Sequence, residues 1–79
     1  MNQHTANFEI IQRKTTGIYQ IRLTIDDRCY VGSSTDVRER WYHHRSALDH
    51  QKHHSPRLQN AWNKYGPDAF RFELLEECD

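Results

Sequence analysis

No run in this chain approaches the roughly 20 consecutive apolar residues of a membrane span, and no basic stretch leads into an apolar one at the N-terminus. Both absences point to a soluble, unsecreted protein. Cysteine is scarce: Cys29 and Cys78 are the only two, and they lack the paired spacing of a zinc site, which excludes a zinc finger. Both are expected in strands as buried free thiols, with a disulfide between them as the lesser alternative. An excess of one charge is missing too. Eleven Lys+Arg balance eleven Asp+Glu, which argues against a uniformly basic coat for nucleic acid. There is no internal repeat and no low-complexity segment. Seventy-nine residues leave room for one small core and no second, and spaced apolar residues among 28% charged ones suit a thin two-layer fold.

What is present is unevenly spread. Between residues 33 and 70, six basic residues (Arg38, Arg40, Arg45, Lys52, Arg57, Lys64) face four acidic ones, a local balance of +2, and five of the six histidines lie in the same span. The tail carries Glu73, Glu76, Glu77 and Asp79. The middle of the chain is therefore the expected face for an anion.

Taken in order, residues 1–16 are expected as an N-terminal arm or edge strand, with Phe8 to Ile11 as a short strand. Ile18 to Thr24 alternates with period two, placing Tyr19, Ile21 and Leu23 on one buried face. Asp26-Asp27-Arg28 supplies turn chemistry, and Arg28 to Val31 reads as the returning strand. Tyr19 and Tyr30 then sit on neighbouring strands, and the register of the hairpin decides whether they share a face. Ser33 to Asp36 signals a helix start, with Glu39 three residues after Asp36. From Val37 to about His50 the stripe Val37, Trp41, His44 or Ala47, and Leu48 faces the sheet, and Arg40 shares a face with His44. Ser55, Pro56 and Gly66 delimit a second helix with Leu58, Ala61, Trp62 and Tyr65 buried; Gln59 falls on another face. Ala69 to Leu75 gives a third strand with Phe70, Phe72 and Leu74 on its apolar side. The expected fold is α+β: a small three-stranded, mainly antiparallel sheet covered by two helices.

In this order, Gly17-Ile18-Tyr19, Tyr30-Val31-Gly32-Ser33, Arg40-Trp41, His44, the His53 to Ser55 connection and the helix from Leu58-Gln59 to Gly66 resemble the GIY-YIG nuclease superfamily, particularly catalytic domains of phage intron-encoded homing endonucleases. The resemblance covers residues 17 to about 77. It implies hydrolysis of a DNA phosphodiester with one divalent metal, usually Mg²⁺, and a tyrosine and an arginine at the reacting phosphate. It also implies a cytoplasmic setting, phage or bacterial. In the family a glutamate on a helix after the third strand holds the metal. No such helix precedes Asp79, and Glu73, Glu76 and Glu77 belong to the strand or its end, so no metal ligand is assigned. The expectation is a nuclease-like domain over 17–79, incomplete at its C-terminal end, with little Mg²⁺-dependent cleavage by these residues alone. The alternative function is a non-catalytic, nuclease-derived DNA-binding or assembly module.

The chemistry asks for a proton acceptor, a cation at the phosphoryl oxygens and help for the leaving oxygen. Tyr19 or Tyr30 suits the first role, provided nearby positive charge lowers a phenol that ordinarily titrates near 10. Arg40 is the natural phosphate clamp, and His44 and His53 position the phosphate or relay protons. Without the ordered series, the two tyrosines read as strand aromatics and Arg40 as a solvated helix cation. The cluster His43, His44, His50, His53 and His54 offers a transition-metal site as an alternative. Arg38, Arg45, Lys52, Arg57 and Lys64 together make a candidate patch for the DNA phosphate backbone. The expected assembly is a monomer, or a weak homodimer through an exposed sheet edge.

Overall fold

A computed structural model describes residues 6–7 and 14–78 of the chain. Its elements are β1 (Ala6–Asn7), β2 (Gly17–Leu23), β3 (Cys29–Ser34), α1 (Val37–Asp49), α2 (Pro56–Tyr65) and β4 (Phe70–Glu77), with one 3-10 turn at Pro67–Ala69. The expected three-stranded sheet forms from β2, β3 and β4, antiparallel throughout, and the two residues of β1 extend it beside β4 to give the order β1-β4-β2-β3. Phe8 to Ile11 lie outside the described residues.

The period-two pattern is realised without a slip: Gly17, Tyr19, Ile21 and Leu23 are buried, and the residues between them half-buried. The hairpin closes because Asp27 adopts a left-handed φ of 61°, which its short polar side chain tolerates, and because the Asp26 carboxylate accepts the Arg28 N–H at 3.2 Å. On β4 the pairing slips once. Ile18 faces Glu76 while Tyr19 faces Leu74, so Leu75 is the extra residue of a bulge and is 44% exposed.

Both helices start where their caps predict. The Asp36 carboxylate accepts the Glu39 N–H at 3.2 Å and the Ser55 hydroxyl accepts the Leu58 N–H at 3.3 Å, each satisfying an otherwise orphan donor. Gly66 ends α2 with φ 85° and ψ 162°, a conformation open essentially to glycine. One core results, from Tyr19, Ile21, Leu23, Val37, Leu48, Leu58, Trp62, Phe70 and Phe72. Trp41 stacks on Phe72 at 3.8 Å between ring centres. On the strands, the residues out of phase with this core include Gln20, Arg22 and Glu73. There the Arg22 guanidinium grips Glu73 through two hydrogen bonds of 3.0 and 2.8 Å, and Gln20 donates to the same carboxylate at 2.7 Å.

Two expectations are corrected. Gln59, placed outside the buried stripe of α2, is buried, because its amide is consumed by the connection between the helices. Cys29, expected to be buried, is exposed: it takes the outward phase of β3, which lies at the end of the described sheet. Cys78 is half-buried just past β4, and both thiols are free. Among the described residues no helix is long and apolar enough to cross a membrane.

Candidate active site

The hairpin register pairs Tyr19 with Gly32 and Ile21 with Tyr30, so the two tyrosines are diagonal neighbours on the face that the helices cover. The Tyr19 ring packs close to Gly32: a Cβ added at Gly32 would stand 2.6 Å from the Tyr19 hydroxyl oxygen. Glycine is required there by close approach, not by φ. Tyr19 is 1% exposed, whereas Tyr30 is half-buried at the end of the described sheet.

Three histidines meet these phenols. His44, on the buried side of α1, places Nε2 at 2.7 Å from the Tyr19 hydroxyl, and its Nδ1 lies 2.7 Å from His53 Nε2. The other His53 nitrogen, Nδ1, receives the Ser55 backbone N–H at 3.0 Å. A backbone N–H only donates, and this one sets the direction of the whole chain of bonds. His53 Nδ1 is the acceptor, so in neutral His53 the proton is on Nε2 and is donated to His44 Nδ1. Neutral His44 then carries its proton on Nε2 and donates to the Tyr19 oxygen, which turns the Tyr19 O–H elsewhere. His54 forms a second pair, with Nε2 at 2.8 Å from the Tyr30 hydroxyl, and it stacks on His53 at 4.5 Å. The Tyr30 ring presents to all three imidazoles at centroid distances of 5.4 to 6.0 Å.

Burial sets the electrostatics. It pushes His44 down to about 4, helped by the neighbouring His53 and by Arg40, and it lowers His53 as well, with His54 adding to the effect. Both rings are therefore neutral at pH 7, as the donor chain requires. Burial also raises Tyr19 above the ordinary phenol value, and the Arg40 guanidinium, within hydrogen-bonding reach, works against that rise. Tyr19, Tyr30, Arg40, His44 and His53 thus come together around the edge between β3 and α1.

The loop that carries His53 is braced by residues that the sequence did not single out. The Gln59 side chain donates to the Leu48 carbonyl at 2.9 Å and accepts the His53 N–H at 3.1 Å. Asn63 exchanges two 2.7 Å hydrogen bonds with Gln51. Ser55 was legible as a helix cap, but its N–H as the anchor of a histidine was not. His54 was named only within the histidine cluster and the His53 to Ser55 connection.

That cluster only partly converges. His50 turns back to the Ser46 carbonyl at 2.7 Å, and the ring nitrogens of His44 and His53 are spent on each other, Tyr19 and Ser55. Among the described residues no group of three His, Cys, Asp or Glu is arranged to hold a metal ion. Mg²⁺ prefers carboxylate oxygens. The site's described residues offer phenols, imidazoles and a guanidinium, and the Glu73 carboxylate is held by Arg22 and Gln20. They do not fit that ion by themselves.

The five cations expected to form the phosphate-backbone patch are spread over the surface. Arg57 lines a groove of about 340 Å³ with Tyr30, Cys29 and Leu58. Arg45 sits beside Asp49 at 3.8 Å and lines another with Trp41 and Trp62, and Arg38 lines a third with Lys14 and Tyr42. The Lys64 ammonium lies 5.2 Å from the centre of the Tyr65 ring. Lys52 is exposed in the connection between the helices.

Comparison with known proteins agrees with this geometry. Intron-associated endonuclease 1 of Enterobacteria phage T4 is 42% identical over 62 residues, which are 78% of this chain and 25% of that protein. The chain thus spans about a quarter of that relative's length. A solved structure of the catalytic domain of homing endonuclease I-TevI superposes with a TM-score of 0.76 at 40% identity, covering 80% of this chain and 67% of that one. A mutant of the catalytic domain of intron endonuclease I-TevI gives the same TM-score at 41% identity, over 81% and 65% of the two chains. The family of the GIY-YIG catalytic domain matches residues 15–79, from just before β2 through β4, and the chain belongs to that family.

Proposed function

We propose that the protein is a DNA endonuclease and that this domain carries the tyrosine, arginine and histidine part of its phosphodiester-hydrolysing site. The observation that carries the reading is the convergence of Tyr19, Tyr30, Arg40, His44 and His53, in a chain of the GIY-YIG family, on one face of the hairpin. Arg40 meets the charge that develops on the phosphoryl oxygens, since a guanidinium is always protonated and donates in a fork. The Tyr19 hydroxyl, with His44 donating to its oxygen, keeps its own proton for another acceptor, in this reading a phosphate oxygen. In the family a divalent ion, usually Mg²⁺, supplies further charge neutralisation when bound. The described residues do not hold it, and every role above belongs to protein groups. Arg38, Arg45, Lys52, Arg57 and Lys64 track the phosphate backbone without reading sequence.

The second reading is a nuclease-derived DNA-binding module without chemistry, for which the surface cations Arg38, Arg45, Lys52, Arg57 and Lys64 suffice. Nicking of supercoiled DNA by the full natural protein, with and without Mg²⁺, separates the two. The nuclease reading expects Mg²⁺-dependent nicking, and salt-sensitive binding that weakens in Arg40→Ala. Binding of the same salt sensitivity with no nicking at any Mg²⁺ concentration selects the second.

A further inference from the structure

We propose that His54 is a positioning residue of this site, acting through Tyr30: its Nε2 accepts the Tyr30 hydroxyl proton and leaves the lone pairs of the phenol oxygen to accept a hydrogen bond from the attacking water. The inference rests on the nuclease reading for its consequence in turnover. Its geometry stands apart from that reading.

The Tyr30 oxygen and His54 Nε2 are 2.8 Å apart, within the range of a good hydrogen bond. His54 is exposed, yet its ring is not loosely held. It stacks at 4.5 Å and 23° on His53, which is itself fixed by the Ser55 N–H and, through its own N–H, by the Gln59 side chain. The two tyrosine–histidine pairs are therefore built differently. In the buried pair the donors run from Ser55 through His53 and His44 to the Tyr19 oxygen, so the Tyr19 O–H has to point away from His44. Among the described residues no backbone group imposes that order on the exposed pair. With Nε2 of His54 as the acceptor, Tyr30 offers lone pairs where Tyr19 offers a proton, and the site gains one acceptor and one donor.

The groups facing His54 are Tyr30 from β3, His44 from α1 at 6.2 Å, and His53 beside it; Arg57 of α2 lines the groove next to Tyr30.

Two measurements test this. Nitrogen-15 NMR of the histidine rings near pH 8 should show His54 with an unprotonated Nε2, and its signal should move in Tyr30→Phe while the His53 tautomer stays. A protonated Nε2 on neutral His54 would overturn the proposal. In nicking by the full natural protein, His54→Ala should lower kcat about tenfold, the scale of one hydrogen bond, with KM little changed. His54→Gln, whose amide oxygen can accept the same hydrogen bond, should recover most of that loss. A kcat in His54→Gln as low as in His54→Ala also overturns it. If the natural protein cuts no DNA, the nuclease reading fails, and the ring measurement still decides the Tyr30–His54 bond.

Discussion

Gly32 and Gly66 are both glycines by necessity, for different reasons, and the contrast is testable at single residues. At Gly32 an added Cβ would collide with the Tyr19 hydroxyl and the ring carbon that bears it, at 2.6 and 2.7 Å. Gly32→Ala is expected to destabilise the fold by about 1–3 kcal/mol, as overpacking does, and to displace Tyr19 from His44. Gly66→Ala meets nothing within 4 Å and is opposed by its φ of 85° alone, at a cost of about 1–3 kcal/mol. Urea denaturation should show both losses, while His44 ring signals should shift only in Gly32→Ala. His44 gives a second residue-scale prediction. Its folded value of about 4 lies below the ordinary 6.5, so as pH falls the unfolded chain takes up the proton first. The stability is present in full above about pH 6.5, is lost as pH falls towards 4, and levels off below. The loss is on the order of 2–3 kcal/mol, with His53 contributing in the same direction. Urea midpoints at pH 7.5 and 4.5 measure it, and His44→Gln should remove most of the difference.

At the scale of elements, the helix caps, the period-two strand and the turn were legible because each is a local decision: Asp36, Ser55 and Gly66 satisfy or release groups within four residues of themselves. The register of β2 against β3 was not, since Tyr19 opposite Gly32 depends on how the Asp26-Asp27 turn closes. Nor was the burial of Gln59. A glutamine on a polar stretch of α2 looks solvent-facing until the loop before the helix folds over it and offers a carbonyl and an N–H. The outward phase of Cys29 had the same cause, for a short edge strand buries only one of its faces. Gln59 is the brace of this connection, and Gln59→Ala would leave the Leu48 carbonyl and the His53 N–H without their partner. A loss of about 1–3 kcal/mol is expected for such groups. Faster amide exchange at His53 than at Leu58, whose cap on Ser55 is untouched, would show that the effect is local.

For the whole molecule, a neutral net charge conceals a sheet whose two faces do different work. The face in phase with Tyr19 carries the core and, at the β3 edge, the phenols and imidazoles. The opposite phase carries the Arg22–Glu73–Gln20 cluster. The ordered motif from Gly17 to Gly66 announced the family, because tyrosine, arginine and histidine recur there at the spacings that one hairpin and two helices bring together. The direction of the proton chain was invisible, since it is set by one backbone N–H, that of Ser55. The most direct test of this site is DNA nicking by the full natural protein carrying Tyr19→Phe and Arg40→Ala together, compared with the wild type under the same Mg²⁺ and salt. The site described here predicts that nicking falls by at least about 100-fold, the scale of losing one oriented donor to a developing oxyanion. Nicking that survives both changes undiminished would contradict it.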